Sequence, residues 1–138
     1  MFHQLQIIES DRQFERFLWR DSPDQPPQVY NMDVAIFGAT CSPSSTQFIK
    51  NTNAKAFAER YPRAVGGIIK SHYVDDYLSS FETIEDAKVV AEDVKMIHSK
   101  GGFMILNWAS NSRDVLDYLG EGSADGVKEL NLTGNGKN

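Results

Sequence analysis

The stretch "HYVDDYL", His72 to Leu78, sets two carboxylates side by side inside a strand-like run. A hard divalent cation such as Mg²⁺ takes carboxylate oxygens at octahedral positions and keeps several of its waters. Carboxylates at the tip of a tight hairpin project into open space, where such a cation can also meet a substrate's phosphates. Two cations close together activate an attacking hydroxyl and stabilise the leaving oxygen, an arrangement suited to nucleotidyl transfer. It requires a further carboxylate from elsewhere in the fold. The plainer meaning of Asp75–Asp76 is a solvated turn, because aspartate is a common turn residue.

A second constellation lies upstream. "FGATCSP", Phe37 to Pro43, puts a glycine at a strand end and a capped, proline-led helix just after it. Gly38 would let the backbone approach a nucleotide or template closely. Ser42 can cap a helix whose first position is Pro43, and a helix start offers free N–H groups to anions. Either feature alone is weak, but their order along the chain is specific. The remaining candidates read more plainly. His3, His72 and His98 are dispersed, without metal-ligand spacing, and read as structural or solvated. Cys41 reads as a small packing residue, and Trp19 and Trp108 as core.

The elements that must position these residues follow from periodicity and punctuation. Residues 13–19 and 28–37 read as strands around the turn-rich "RDSPDQPP", hence an antiparallel hairpin. A helix is expected from Ser42 until Pro62 stops it, with Phe48, Ile49, Ala54, Phe57, Ala58 and Tyr61 on its apolar side and a break open at the weak helix formers Asn51, Thr52 and Asn53. "GGIIKSHYV" and "YLSSF" read as two short strands joined at the aspartates. Thr83 with Asp86 resembles a capping box opening a helix that Gly101 ends, with Ala87, Val90, Ala91, Val94 and Ile97 as its buried stripe. "FMILNW" reads as a strand and "SRDVLDYL" as a short helix. The expected fold class is α+β, an antiparallel sheet with helices packed on one face. Residues 1–119 would form the domain and the glycine-rich 120–138 a flexible tail.

Composition narrows the function classes. The 138 residues are 41% apolar and 24% charged, as in ordinary globular proteins, and suffice for one domain with a real core. One cysteine excludes an internal disulfide and a multi-cysteine zinc site. No long apolar run suggests a membrane span, and the opening residues lack the pattern of a signal peptide. The net charge of −5 is uneven: residues 1–72 carry eight Lys/Arg and seven Asp/Glu, residues 73–138 six and twelve. No basic stripe of the kind that marks a plain nucleic-acid binder is evident.

"HYVDDYL" resembles the Tyr-X-Asp-Asp motif of reverse transcriptases, and "FGATCSP" the upstream Gly-X-X-X-Ser-Pro motif beneath the incoming nucleotide. "MFHQLQI" resembles the segment just after the first catalytic aspartate, and "GGFMILNWASN" a later palm segment. The wordings "MFHQ", "RFLWR", "YPRAV" and "NWASN" are most similar to the Pao/BEL class of LTR retrotransposons. The resemblance covers roughly residues 1–132. It implies a partial polymerase palm and RNA-directed DNA synthesis by two-metal nucleotidyl transfer.

On that resemblance Asp75 is the main ligand of Mg²⁺ or Mn²⁺, with Asp76 its neighbour in a smaller or indirect role. Tyr73 lines the primer end or the hairpin base, and Phe2 is the aromatic that discriminates against the 2′-hydroxyl. Gly38, Ser42, Pro43 and Gln47 shape the nucleotide and template floor. Phe37 stands where many retroviral relatives carry glutamine, which puts that residue's contact in doubt. The first catalytic aspartate falls ahead of Met1, and fingers, thumb and ribonuclease H are not represented. The metal site is therefore expected to be incomplete and the chain inactive by itself. Its partners would be template-primer, deoxynucleotides and the flanking polymerase segments, with no membrane. It would reside inside the cell, in a cytoplasmic retroelement particle or the nucleus. Two other readings stand beside this one: a non-catalytic relic or host-adopted binding protein, and an unrelated α+β domain with a plain turn at Asp75–Asp76.

Overall fold

Local signals decide most of the elements. The structure, a computed structural model, describes residues 2–120 and the strand at 127–129. Its chain divides into two compact units, Met1–Ile49 and Lys50–Asn138.

In the first unit, 3-10 turns at Phe2–Gln4 and Glu9–Phe14 precede β1 (Arg16–Trp19) and β2 (Gln28–Asn31). The two strands pair antiparallel, Phe17 opposite Tyr30 and Trp19 opposite Gln28. This is the expected hairpin, with its loop-side ends at Trp19 and Gln28 as expected, but shorter at its open end. Residues 9–14 coil instead of extending because polar side chains there bond locally: Arg12 Nε donates to the Ile7 carbonyl at 3.0 Å and Ser10 Oγ to Asp11 at 3.0 Å. Beyond Met32, whose N–H still donates to the Glu15 carbonyl, the chain changes partner. Ile7 N donates to the Asp33 carbonyl at 2.8 Å and Ala35 N to the Leu5 carbonyl at 2.9 Å. Trp19 is not core: it is 56% exposed, with its indole N–H donated to Asp21.

Helix α1 (Ser42–Lys55) begins in the first unit and ends in the second. It stops well before Pro62, after the weak helix formers Asn51, Thr52 and Asn53. Asn53 instead donates its side-chain amide to the Ile97 carbonyl at 2.8 Å. Pro62 then starts a helix that the sequence reading assigned to a strand: α2 (Pro62–Lys70), with proline at its opening, where the missing N–H costs nothing. Ala64, Val65 and Ile68 are buried at helical spacing along it.

The second unit continues with β3 (His72–Tyr73) and β4 (Asp76–Tyr77), then α3 (Ile84–Lys100), β5 (Trp108–Ser110), α4 (Arg113–Leu119) and β6 (Val127–Glu129). The Thr83 cap of α3 is formed as expected, but the return contact of the box runs through the Thr83 hydroxyl and not its backbone N–H. Thr83 Oγ1 accepts from Asp86 N at 3.1 Å and donates to the Asp86 carboxylate at 2.8 Å. Residues 103–107 are not a strand; the chain there bends past the helix end, with Phe103 buried and Met104 and Leu106 exposed. Strand β6 pairs in parallel with β5. Apart from Gly120 and this strand, the proposed tail 120–138 lies outside the described residues.

The fold is α+β, as expected, but among the described residues the strands pair two by two, in three two-stranded sheets. The second unit's core joins Ala54 of α1, Ala64, Val65 and Ile68 of α2, and Val90, Val94 and Ile97 of α3. Each fully buried Ile or Val there contributes about 1.5–3 kcal/mol over an exposed one. Ala91, Val115 and Leu119 join α3 to α4, with Trp108 packed against them.

Candidate functional site

The aspartates sit on a minimal hairpin. His72 pairs with Tyr77 and Tyr73 with Asp76, leaving Val74 and Asp75 as a two-residue loop. Leu78 N closes it on the Ser71 carbonyl at 2.9 Å. Side chains alternate faces along a strand and match across a pair. His72 and Tyr77 are accordingly half-buried, whereas Tyr73, at 82% exposure, and Asp76 stand in the open with Asp75. Among the described residues neither carboxylate is in an ion pair.

Val74 adopts φ +56°, the only non-glycine residue with positive φ among those described. Two-residue hairpin loops need that twist and normally take Gly, Asn or Asp there. A β-branched residue in this region is a true outlier and costs about 1–3 kcal/mol. Strain of this kind persists only where the surroundings over-determine it, and it concentrates at functional sites.

The hairpin's inner side is tied to two helices. A Cβ on Gly67 of α2 would come within 2.8 Å of the Tyr77 hydroxyl, so the glycine makes room for that ring. The His72 ring lies 5.2 Å from Tyr77 and stacks on His98 of α3 at 5.0 Å. Lys50 of α1 belongs to the same group. It is 1% exposed and raises the cost of charging both histidines. Burial lowers the Lys50 pKa to about 8. Burial, then the Lys50 and His98 charges, lower His72 to about 3; the nearby Asp76 backbone raises it, though neither ring nitrogen completes a hydrogen bond. Burial also lowers His98, whose bond to the Val94 carbonyl raises it and whose neighbour Lys50 lowers it further. Reading the histidines as dispersed and structural or solvated does not bring His72 and His98 together with Lys50; the structure shows both of them in structural positions. The signal for this group is the four-residue spacing Thr46, Lys50, Ala54, which places a lysine on a buried helical stripe.

The proposed nucleotide-floor residues lie in the first unit. Phe2 is buried, 7% exposed, with its ring edge on Phe37 at 4.8 Å. Phe37 is exposed and also meets the His3 ring at 5.5 Å. Gly38 has φ +93°, and nothing lies within 4 Å of where its Cβ would be. A glycine is needed there for its backbone conformation, and the space above it is open. Ser42 opens α1 without capping it in the expected way; its hydroxyl donates to the Ile36 carbonyl at 2.8 Å and closes the loop. Pro43 is exposed in the first turn and Gln47 half-buried one turn on. The structure thus joins Phe2 to Phe37 and Ser42 to the loop around Gly38. Asp75, Asp76 and Tyr73 share the hairpin of the other unit.

A metal at the hairpin would find two carboxylates. Among the described residues no group of three or more His, Cys, Asp or Glu stands together to hold one. The donors are of the right chemistry for Mg²⁺ or Mn²⁺ but supply only part of its shell. No described helix is long and apolar enough to cross a membrane. No family model, curated protein or solved structure matches the chain.

Proposed function

We propose that the chain is part of the palm of an RNA-directed DNA polymerase of the LTR-retrotransposon type. The observation that carries this reading is the strained Val74 loop, which presents Asp75 and Asp76 outward, in no ion pair among the described residues. An ordinary turn gains nothing from valine at positive φ. A loop that must hold two carboxylates at a fixed height above packed helices can retain it.

Asp75 and Asp76 would hold the cation, which would supply charge for a triphosphate; Tyr73 lies beside them on the open face. Bound there, Mg²⁺ would neutralise developing phosphate charge and lower the pKa of the attacking hydroxyl. The strand pairing His72–Tyr77, seated on Gly67 and His98, fixes the carboxylates' height. Gly38 leaves open backbone beside Phe37 for a nucleotide or template to approach. With two carboxylates in the site, the chain binds metal and nucleotide without completing the two-metal clamp.

Calorimetry tests this directly. Mn²⁺ should bind the chain, deoxythymidine triphosphate should bind only in its presence, and Asp75→Asn should abolish both. Identical Mn²⁺ binding by the wild type and Asp75→Asn would overturn the reading in favour of a plain turn.

A further inference from the structure

Beneath the hairpin, several buried polar atoms have no hydrogen-bond partner among the described residues. Lys50 Nζ, His98 Nε2, both ring nitrogens of His72 and the Tyr77 hydroxyl are sealed from solvent and make no hydrogen bond. Lys50 and His98 are each 1% exposed. His98 Nδ1 lies 2.9 Å from the Val94 carbonyl, which can only accept, so Nδ1 carries a proton and Nε2 is the ring's unsatisfied nitrogen. His72 stacks between His98 and Tyr77, at 5.0 and 5.2 Å. The ion pairs of the neighbouring helices are used elsewhere: Arg63 with Asp86, and Lys88 with Glu85. Asp75 and Asp76, the nearest carboxylates along the chain, are exposed.

Buried charges are normally paired, and buried donors normally hydrogen-bonded. Here an ammonium, a phenol and two imidazoles are buried together in the second unit, and among the described residues none of them is in an ion pair with a carboxylate. We propose that the Lys50–His72–Tyr77–His98 cluster is a binding site for a small inorganic oxyanion of the phosphate type. A tetrahedral oxyanion offers several acceptor oxygens. Lys50 supplies up to three N–H donors, Tyr77 one O–H, and each imidazole an N–H when it carries a proton there. Entry requires only local opening of a hairpin with two paired residues in each strand and a strained loop, the kind of segment that opens most easily. The site is separate from the outward carboxylates. It takes an anion by itself, whether or not Asp75 holds a cation.

The test is a melting and NMR titration of the full chain in metal-free buffer, with phosphate compared against sodium chloride at matched ionic strength. Phosphate should raise the melting temperature and move the side-chain resonances of His72 and His98. Lys50→Met, which keeps the stem and removes the charge, should melt higher than wild type in chloride. Its phosphate affinity should be about tenfold or more weaker. Tyr77→Phe, which keeps the ring, should weaken phosphate more modestly and serves if Lys50→Met does not fold. Equal melting in phosphate and chloride, or an undiminished phosphate response in both variants, would overturn the proposal. So would a response to deoxythymidine triphosphate without one to phosphate, since the proposed ligand is the free inorganic ion.

Discussion

Val74 and the buried bases carry the most information at the scale of single residues. Strain at Val74 implies that Val74→Gly gains stability, by about 1 kcal/mol after the glycine's greater unfolded entropy is subtracted. Urea unfolding should show a higher midpoint at unchanged slope; a lower midpoint would mean the turn is not strained. The buried bases set a pH dependence. His72 and His98 have folded pKa values below their ordinary 6.5, so the unfolded chain binds more protons than the folded one below that pH. The stability they contribute is complete above pH 6.5 and falls as the pH drops toward the folded value, about 3 for His72. Lys50, lowered from 10.5 to about 8, has the same sign in a higher window, so stability rises between those two values. Melting temperatures from pH 4 to 10 should therefore climb in two stages, and Lys50→Met should remove the upper one.

Helices and hairpin divide the glycines by role. Gly66 and Gly67 are adjacent in α2, yet a Cβ at Gly66 meets nothing within 4 Å while one at Gly67 meets Tyr77 at 2.8 Å. Gly66→Ala should stabilise by about 0.5–1 kcal/mol through helix propensity. Gly67→Ala should lose that gain and shift the amide resonances of residues 72–77, because Tyr77 must move. The same contrast explains what could be read in advance. Helix α3 is legible because its signals are local: Thr83 and Asp86 at one end, Gly101 at the other, an apolar stripe between. Helix α2 is not, since two glycines and two isoleucines look like a strand until Tyr77, from a different element, gives Gly67 its reason. Thr83→Ala should cost about 1 kcal/mol, read from chemical denaturation. The Asp75–Asp76 hairpin is legible from its carboxylates and flanking tyrosines. The Lys50 cluster is hidden because a lysine's usual place is the surface.

For the molecule as a whole, the α+β class follows from element order, whereas the division of strands into three pairs does not, since pairing partners are non-local. Leu5 takes Ala35 as its partner although thirty residues separate them. With two carboxylates at the hairpin and, among the described residues, no third ligating residue beside them, the chain alone should not extend a primer. Incorporation of deoxynucleotides with Mg²⁺, abolished by Asp75→Asn, would contradict that. The central claim, that the hairpin is a metal site and not a plain turn, is tested most directly by paramagnetic broadening. Substoichiometric Mn²⁺ should selectively broaden the amide resonances of Tyr73 to Asp76, and Asp75→Asn should remove the effect. Broadening spread evenly over the acidic surface, or unchanged by that substitution, would contradict it.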